Sequence, residues 1–185
     1  LQGLIDKQQI SDVIHTYCRA ADRLDIDLFH TVFWDDGVYD GGPASGPASS
    51  FIPALLGDVV RNMFAASQHC VSNILIELDG DVAHAETYLV AFHLSHPTAA
   101  SRAALLGQEN AEAAGYADDQ VIEFILGARY IDRFERRNGA WRISKRKLVP
   151  EWNQVAKYSG ISTGGQLDLL KLRASRDRSD PLYSR

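Results

Sequence analysis

Only two cysteines, Cys18 and Cys70, occur in 185 residues, far apart and outside any CxxC pattern. A disulfide scaffold is therefore excluded, and two small buried thiols in a reduced, cytoplasmic protein are expected. No apolar run approaches membrane-spanning length, and no charged-then-apolar leader opens the chain. Basic excess is missing as well. A formal net charge of −5 argues against nucleic acid or an anionic membrane as the main partner. Neither GxGxxG nor a P-loop occurs, which leaves a nucleotide cofactor unsupported. The six histidines (His15, His30, His69, His84, His93 and His96) form no zinc or iron triad. On a strand, His93 and His96 would point to opposite faces. No metal and no other cofactor are expected.

What is present suits one globular domain: 45% hydrophobic and 23% charged residues. Ile10, Val13, Ile14, Tyr17, Ala21 and Leu24 recur at helical spacing, and a short second helix follows near Ile26 to Phe33. "GVYD" reads as a short strand. "GGPASGPASS" is a loop ending in serines suited to cap the helix "FIPALLGDVVRNMFAA", with Pro53 in its first turn. From His69 the apolar period changes to two. "HCVSNILIEL", the turn "DGD" and "VAHAETYLVAFHLS" predict one hairpin. "VIEFILGARYIDRFER", Asn138-Gly139 and "AWRISKRKLVPEW" predict a second, with the basic cluster as its charged side. Between them, residues 97–120 form an alanine-rich excursion or lid. The chain from Gln154 reads as irregular. Helices first and antiparallel strands afterwards argue for an α+β fold.

Three aspartates crowd the end of the first helix. Asp25 is placed to cap the second helix, and Asp27 falls in its first turn, where the helix dipole favours negative charge. Asp22 has neither task. Alone it reads as a carboxylate on a helix edge, and His69 alone reads as a structural histidine at a strand start. Together they could do chemistry: an aspartate on one imidazole nitrogen leaves the other free as a base.

The segments "YCRAADRLD", "VFWDDGVYD", "QHCVSN", "AETYLVAFH" and "RFERRNGAWRISKR" resemble the SnoaL-like branch of the nuclear transport factor 2-like superfamily. That resemblance implies a cystatin-like cone, a curved antiparallel sheet wrapped around N-terminal helices with an internal pocket. The similarity runs from about Ile5 to Asn153; one domain is expected over residues 1–155, followed by an irregular tail, 156–185, outside the resemblance and packing on the domain or a neighbouring subunit. The resemblance further implies Asp22 and His69 as a proton-abstracting dyad, Tyr17 as donor to a leaving hydroxyl, and Arg146 as a handler of negative charge. Leu89, Ala91, His93, Leu126, Ala128 and Tyr130 would form the concave wall, with Tyr39 near the mouth.

A largely apolar wall with few polar groups suits a flat, hydrophobic small molecule, polycyclic or aromatic. The expected function is a dehydratase-type lyase without cofactor. An isomerase or polyketide cyclase using the same proton transfer remains open. So does a non-catalytic binding protein or the accessory β-type subunit of a ring-hydroxylating dioxygenase. Apolar residues on both faces of the last strands, Trp141 and Ile143 against Leu148 and Pro150, suggest a homo-oligomer, dimer or trimer.

Overall fold

The computed structural model describes residues 1–41 and 45–184. Of the Gly/Pro/Ser loop expected over 41–50, residues 42–44 lie outside that description. Helix α1 (Gln2–Arg23) buries Ile10, Ile14, Tyr17 and Ala21 along the stripe seen in the sequence. Leu24 ends it in the left-handed conformation (φ 52°), its buried side chain offsetting the strained backbone. The chain then turns into α2 (Ile26–His30), whose N-terminus Asp25 caps by accepting from the Leu28 N–H at 3.1 Å.

Strand β1 (Phe33–Asp40) pairs with the two-residue β2 (Gly46–Pro47). The next helix departs from expectation in two ways. Helix α3 (Ala48–Ile52) has Pro47 at its N-cap, so the serines sit inside the helix rather than capping it. Pro53 comes after α3 and not in its first turn. Having no N–H to donate, it opens a π-helical stretch, Pro53–Val60, before α4 (Arg61–Met63).

Strands β3 (Phe64–Asp79), β4 (Val82–Ser95), β5 (Ile122–Arg137) and β6 (Ala140–Lys157) are the two expected hairpins. Asn138 and Gly139 both take positive φ, as a tight Asn-Gly turn requires. The sheet order is β2-β1-β6-β5-β4-β3, curved and unclosed. It is not wholly antiparallel, because β1 joins β6 in parallel. Strand β6 also outruns the reading that made the chain irregular from Gln154. Gln154 to Lys157 stay paired opposite Ile125 to Ile122, whose apolar residues had already promised a strand.

Residues 97–120 fold into two short helices, α5 (Ala99–Leu106) and α6 (Gln108–Ala113). After β6 the chain makes two 3-10 turns, Gly165–Leu169 and Pro181–Ser184, and returns to α1 and α2. There Tyr183 donates to Asp25 at 2.7 Å, and Arg178 reaches Asp25 and Asp27. The basic cluster behaves as the charged side of a hairpin: Arg136 pairs with Asp6 and Asp81, Arg137 with Asp36, and Arg133 with Glu135. Among the described residues no helix is long and apolar enough to cross a membrane.

Candidate active site

The concave face of the sheet is set by strand parity. Along β4, Thr87, Leu89, Ala91 and His93 are buried while Tyr88 and Phe92 face outward. Register places Thr87 opposite Tyr130, Leu89 opposite Ala128 and Ala91 opposite Leu126. Leu89, Ala91, Ala128 and Tyr130 thus form one wall, with Leu126 packed against it. Tyr39, expected near the mouth, is only 4% exposed and stacks on Phe51 at 4.8 Å, because α3 folds over β1.

His69 lies on the edge strand β3, and Asp22 reaches it from the last turn of α1. Asp22 Oδ1 is 2.7 Å from His69 Nδ1, and Oδ2 accepts the His69 backbone N–H at 3.0 Å. The carboxylate therefore fixes the ring and the main chain behind it. An ionised carboxylate only accepts, so Nδ1 carries the hydrogen and Nε2 keeps a free lone pair. The two side chains are 10% and 14% exposed, sheltered but not sealed from solvent.

A second histidine stands close by. His93 meets His69 edge-on, ring centroids 5.6 Å apart, and its Nδ1 lies 3.3 Å from the Phe124 carbonyl, to which it donates. Burial, with His69 as neighbour, lowers its pKa to about 4, so His93 is neutral at pH 7.

Deeper in, Arg146 and Asp132 are wholly buried and paired by two hydrogen bonds, Nε to Oδ1 at 2.8 Å and Nη2 to Oδ2 at 2.7 Å. Burial works against both charges, and the forked contact with Asp132 keeps Arg146 protonated. Its guanidinium is sandwiched between the rings of Tyr17 and Tyr130, 4.0 and 3.8 Å from their centroids. Burial raises the Tyr17 pKa against the pull of Arg146, so the phenol keeps its proton. Two buried polar atoms have no hydrogen-bond partner among the described residues: Arg146 Nη1 and Thr87 Oγ1. Such orphans suit the oxygen of a bound molecule.

A cleft of about 390 Å³ opens beside the dyad, lined by Ser67, Phe92, His93, Leu94, Tyr158 and the tail residue Arg176, among others. Cys18 is buried, and burial pushes its thiol up to about 12. Cys70 corrects the expectation of two buried thiols. With His69 turned inward, its successor on β3 faces out and is exposed. Among the described residues no group of three or more His, Cys, Asp or Glu side chains could hold a metal.

Sequence reasoning missed Asp132, Thr87 and Arg176. Asp132 was findable, because it continues the inward parity of Leu126, Ala128 and Tyr130 and faces Arg146 across the hairpin. Thr87 shared the parity of Leu89. Nothing marked Arg176, which lies in a tail without periodicity.

Residues 2–147 match the family of SnoaL-like domains. No match is found among curated proteins. A solved structure from Kribbella flavida is 21% identical with a TM-score of 0.64, covering 82% of this chain and 95% of its own. The hexachlorocyclohexane dehydrochlorinase LinA-type3 from Novosphingobium barchaimii is 18% identical (TM-score 0.64), covering 88% of this chain and 96% of its own. A protein assigned as a scytalone dehydratase from Novosphingobium aromaticivorans is 16% identical (TM-score 0.63; 88% and 97%). At these identities the likeness carries the fold alone.

Proposed function

The chain belongs to the SnoaL-like family, within the nuclear transport factor 2-like superfamily, and on that premise we propose that it is a cofactor-independent lyase of dehydratase type. The observation that carries the reading is the double grip of Asp22 on His69, which leaves Nε2 as a base directed away from the carboxylate. Nε2 takes an acidic C–H proton from a hydrophobic aromatic or polycyclic substrate, and Asp22 stabilises the imidazolium that forms. Electrons from the broken C–H bond pass into a carbon–carbon double bond as the leaving oxygen departs. Tyr17, still protonated at neutral pH, donates to that oxygen. Arg146, held by Asp132 through Nε and Nη2, has Nη1 without a partner, and that N–H group steadies charge building on a substrate carbonyl. Leu89, Ala91, Leu126, Ala128, Tyr130 and Tyr39 shape the apolar surround, and His93, neutral, offers a polar contact.

The test is a panel of aromatic and polycyclic β-hydroxy ketones incubated in D₂O and followed by NMR. The reading requires water loss with the wild-type protein and not with His69→Ala, and deuterium entering the acidic C–H position would show the proton abstraction it shares with the alternatives. An isomerase or cyclase would exchange deuterium without releasing water. The accessory-subunit alternative draws on the apolar outer face of the sheet, where Trp152, 51% exposed, shares a face with exposed Tyr88. Co-purification with an iron-containing α subunit, and no exchange activity, would favour it.

A further inference from the structure

The tail brings to the site a cation that the proton transfer does not use. A guanidinium has five N–H donors, and Arg176 engages three. Nε donates to the Asp22 carbonyl oxygen at 3.3 Å, Nη1 to the Phe64 carbonyl oxygen at 2.5 Å and Nη2 to Ser67 Oγ at 3.2 Å. Every one of these acceptors is neutral, and among the described residues no carboxylate forms an ion pair with Arg176. Arg23, by contrast, has Asp180 at 3.6 Å. Burial, with Arg61 and Arg23 close by, pulls the Arg176 pKa down to about 10, against the attraction of Asp22. A half-buried cation that has lost hydration without gaining a counter-ion is an anion receptor.

Its surroundings define what the anion belongs to. Arg176 shares its cleft with Phe92, Leu94, Tyr158 and three alanines, Ala65, Ala66 and Ala174. Glu123 is the one carboxylate among the cleft residues, against Arg23 and Arg176. The cleft also includes His93, whose ring touches that of His69, and Ser67, two residues before it on β3.

We propose that this cleft binds the anionic group, a carboxylate or its equivalent, of an otherwise apolar substrate, with Arg176 as counter-ion and Phe92, Leu94 and Tyr158 against the apolar body. Calling that ligand a substrate rests on the lyase reading; its binding does not. The two N–H groups of Arg176 without a partner match a carboxylate, and the tail becomes part of substrate selection rather than a passive extension.

The probes are 2-naphthoate and 2-naphthamide, alike in size and differing in charge, titrated calorimetrically into the full chain. Wild type binds naphthoate at least about tenfold more tightly, the scale of a hydrogen-bonded ion pair. Arg176→Gln abolishes that preference, and Arg176→Lys, which keeps the charge but not the forked donors, retains part of it. Tyr183→Phe loosens the tail from Asp25 without touching the cation, and keeps the preference. Four results overturn the assignment: no binding of either probe to wild type, equal affinities, a preference that survives Arg176→Gln, or its loss in Tyr183→Phe or Arg176→Lys. A clear naphthoate preference alongside failed deuterium exchange would instead sink the lyase reading and leave the anion site standing.

Discussion

Asp22 holds His69 at two points, the ring nitrogen at 2.7 Å and the backbone N–H at 3.0 Å. One carboxylate thus sets both the tautomer of the imidazole and the path of the strand that carries it. Asp22→Asn keeps a hydrogen bond to one of these points and loses the charge. We expect a fall in kcat well beyond any change in KM, together with little loss of fold, checked by steady-state kinetics and circular dichroism.

Asp132→Ala should be among the most damaging single changes. It leaves Arg146 charged, unpaired and fully buried, which costs about 3–5 kcal/mol. Urea unfolding reads the loss directly. Adding Arg146→Met should recover part of the stability, since the penalty comes from the unmatched charge and not from missing volume. If the double variant were weaker still, that account of the pair would fail.

His93 makes stability fall in mild acid. Its pKa is about 4 in the folded chain against roughly 6.5 when unfolded. Above the unfolded value neither state binds the proton. As pH drops from there toward 4, the unfolded chain takes it up first, so folding weakens by up to about 3 kcal/mol. His93→Gln should flatten this part of the stability–pH curve. A curve unchanged by the substitution would assign the acid sensitivity elsewhere.

The outer face of the sheet carries Tyr88 and Trp152, both exposed, with the Trp152 indole lying over Gly127, where any Cβ would collide with it. We expect this face to be covered in a homo-oligomer, dimer or trimer. Light scattering at micromolar concentration should show it, and Trp152→Glu should release monomers. A stable wild-type monomer would contradict the assembly.

The helix stripe through Ile10, Ile14 and Tyr17, the parity of β4 and the Asn138-Gly139 turn were legible because each rests on local periodicity or on a turn with one solution. Asp25 as a cap was legible for the same reason. The distance between Asp22 and His69 was not, since no local rule brings the end of α1 against β3. Resemblance paired them, and the geometry brings them together. Pro47 displaced the serines from the cap of α3 because the short β2 ends there, a contact between segments that the loop composition conceals. The parallel pairing of β1 with β6 is likewise a tertiary choice. Arg176 was hidden most completely: its three acceptors lie on α1 and β3, more than a hundred residues away, and its own neighbours follow no pattern.

Tyr17→Phe separates the proposed donor from the proposed base. Tyr17 stays protonated, so its loss should matter most for substrates with a poor leaving group. A substrate carrying a better leaving group should rescue Tyr17→Phe and not His69→Ala. Equal rescue of both, in matched kinetic assays, would dissolve the proposed division between them.

The most direct measurement is the turnover of His69→Ala on whichever substrate the deuterium-exchange panel yields. Positioned general-base catalysis contributes ~10²- to 10⁴-fold, so kcat should fall by at least that range while the variant remains folded. Full turnover in His69→Ala would contradict the account, and Asp22 would then be an ordinary carboxylate at the edge of a helix.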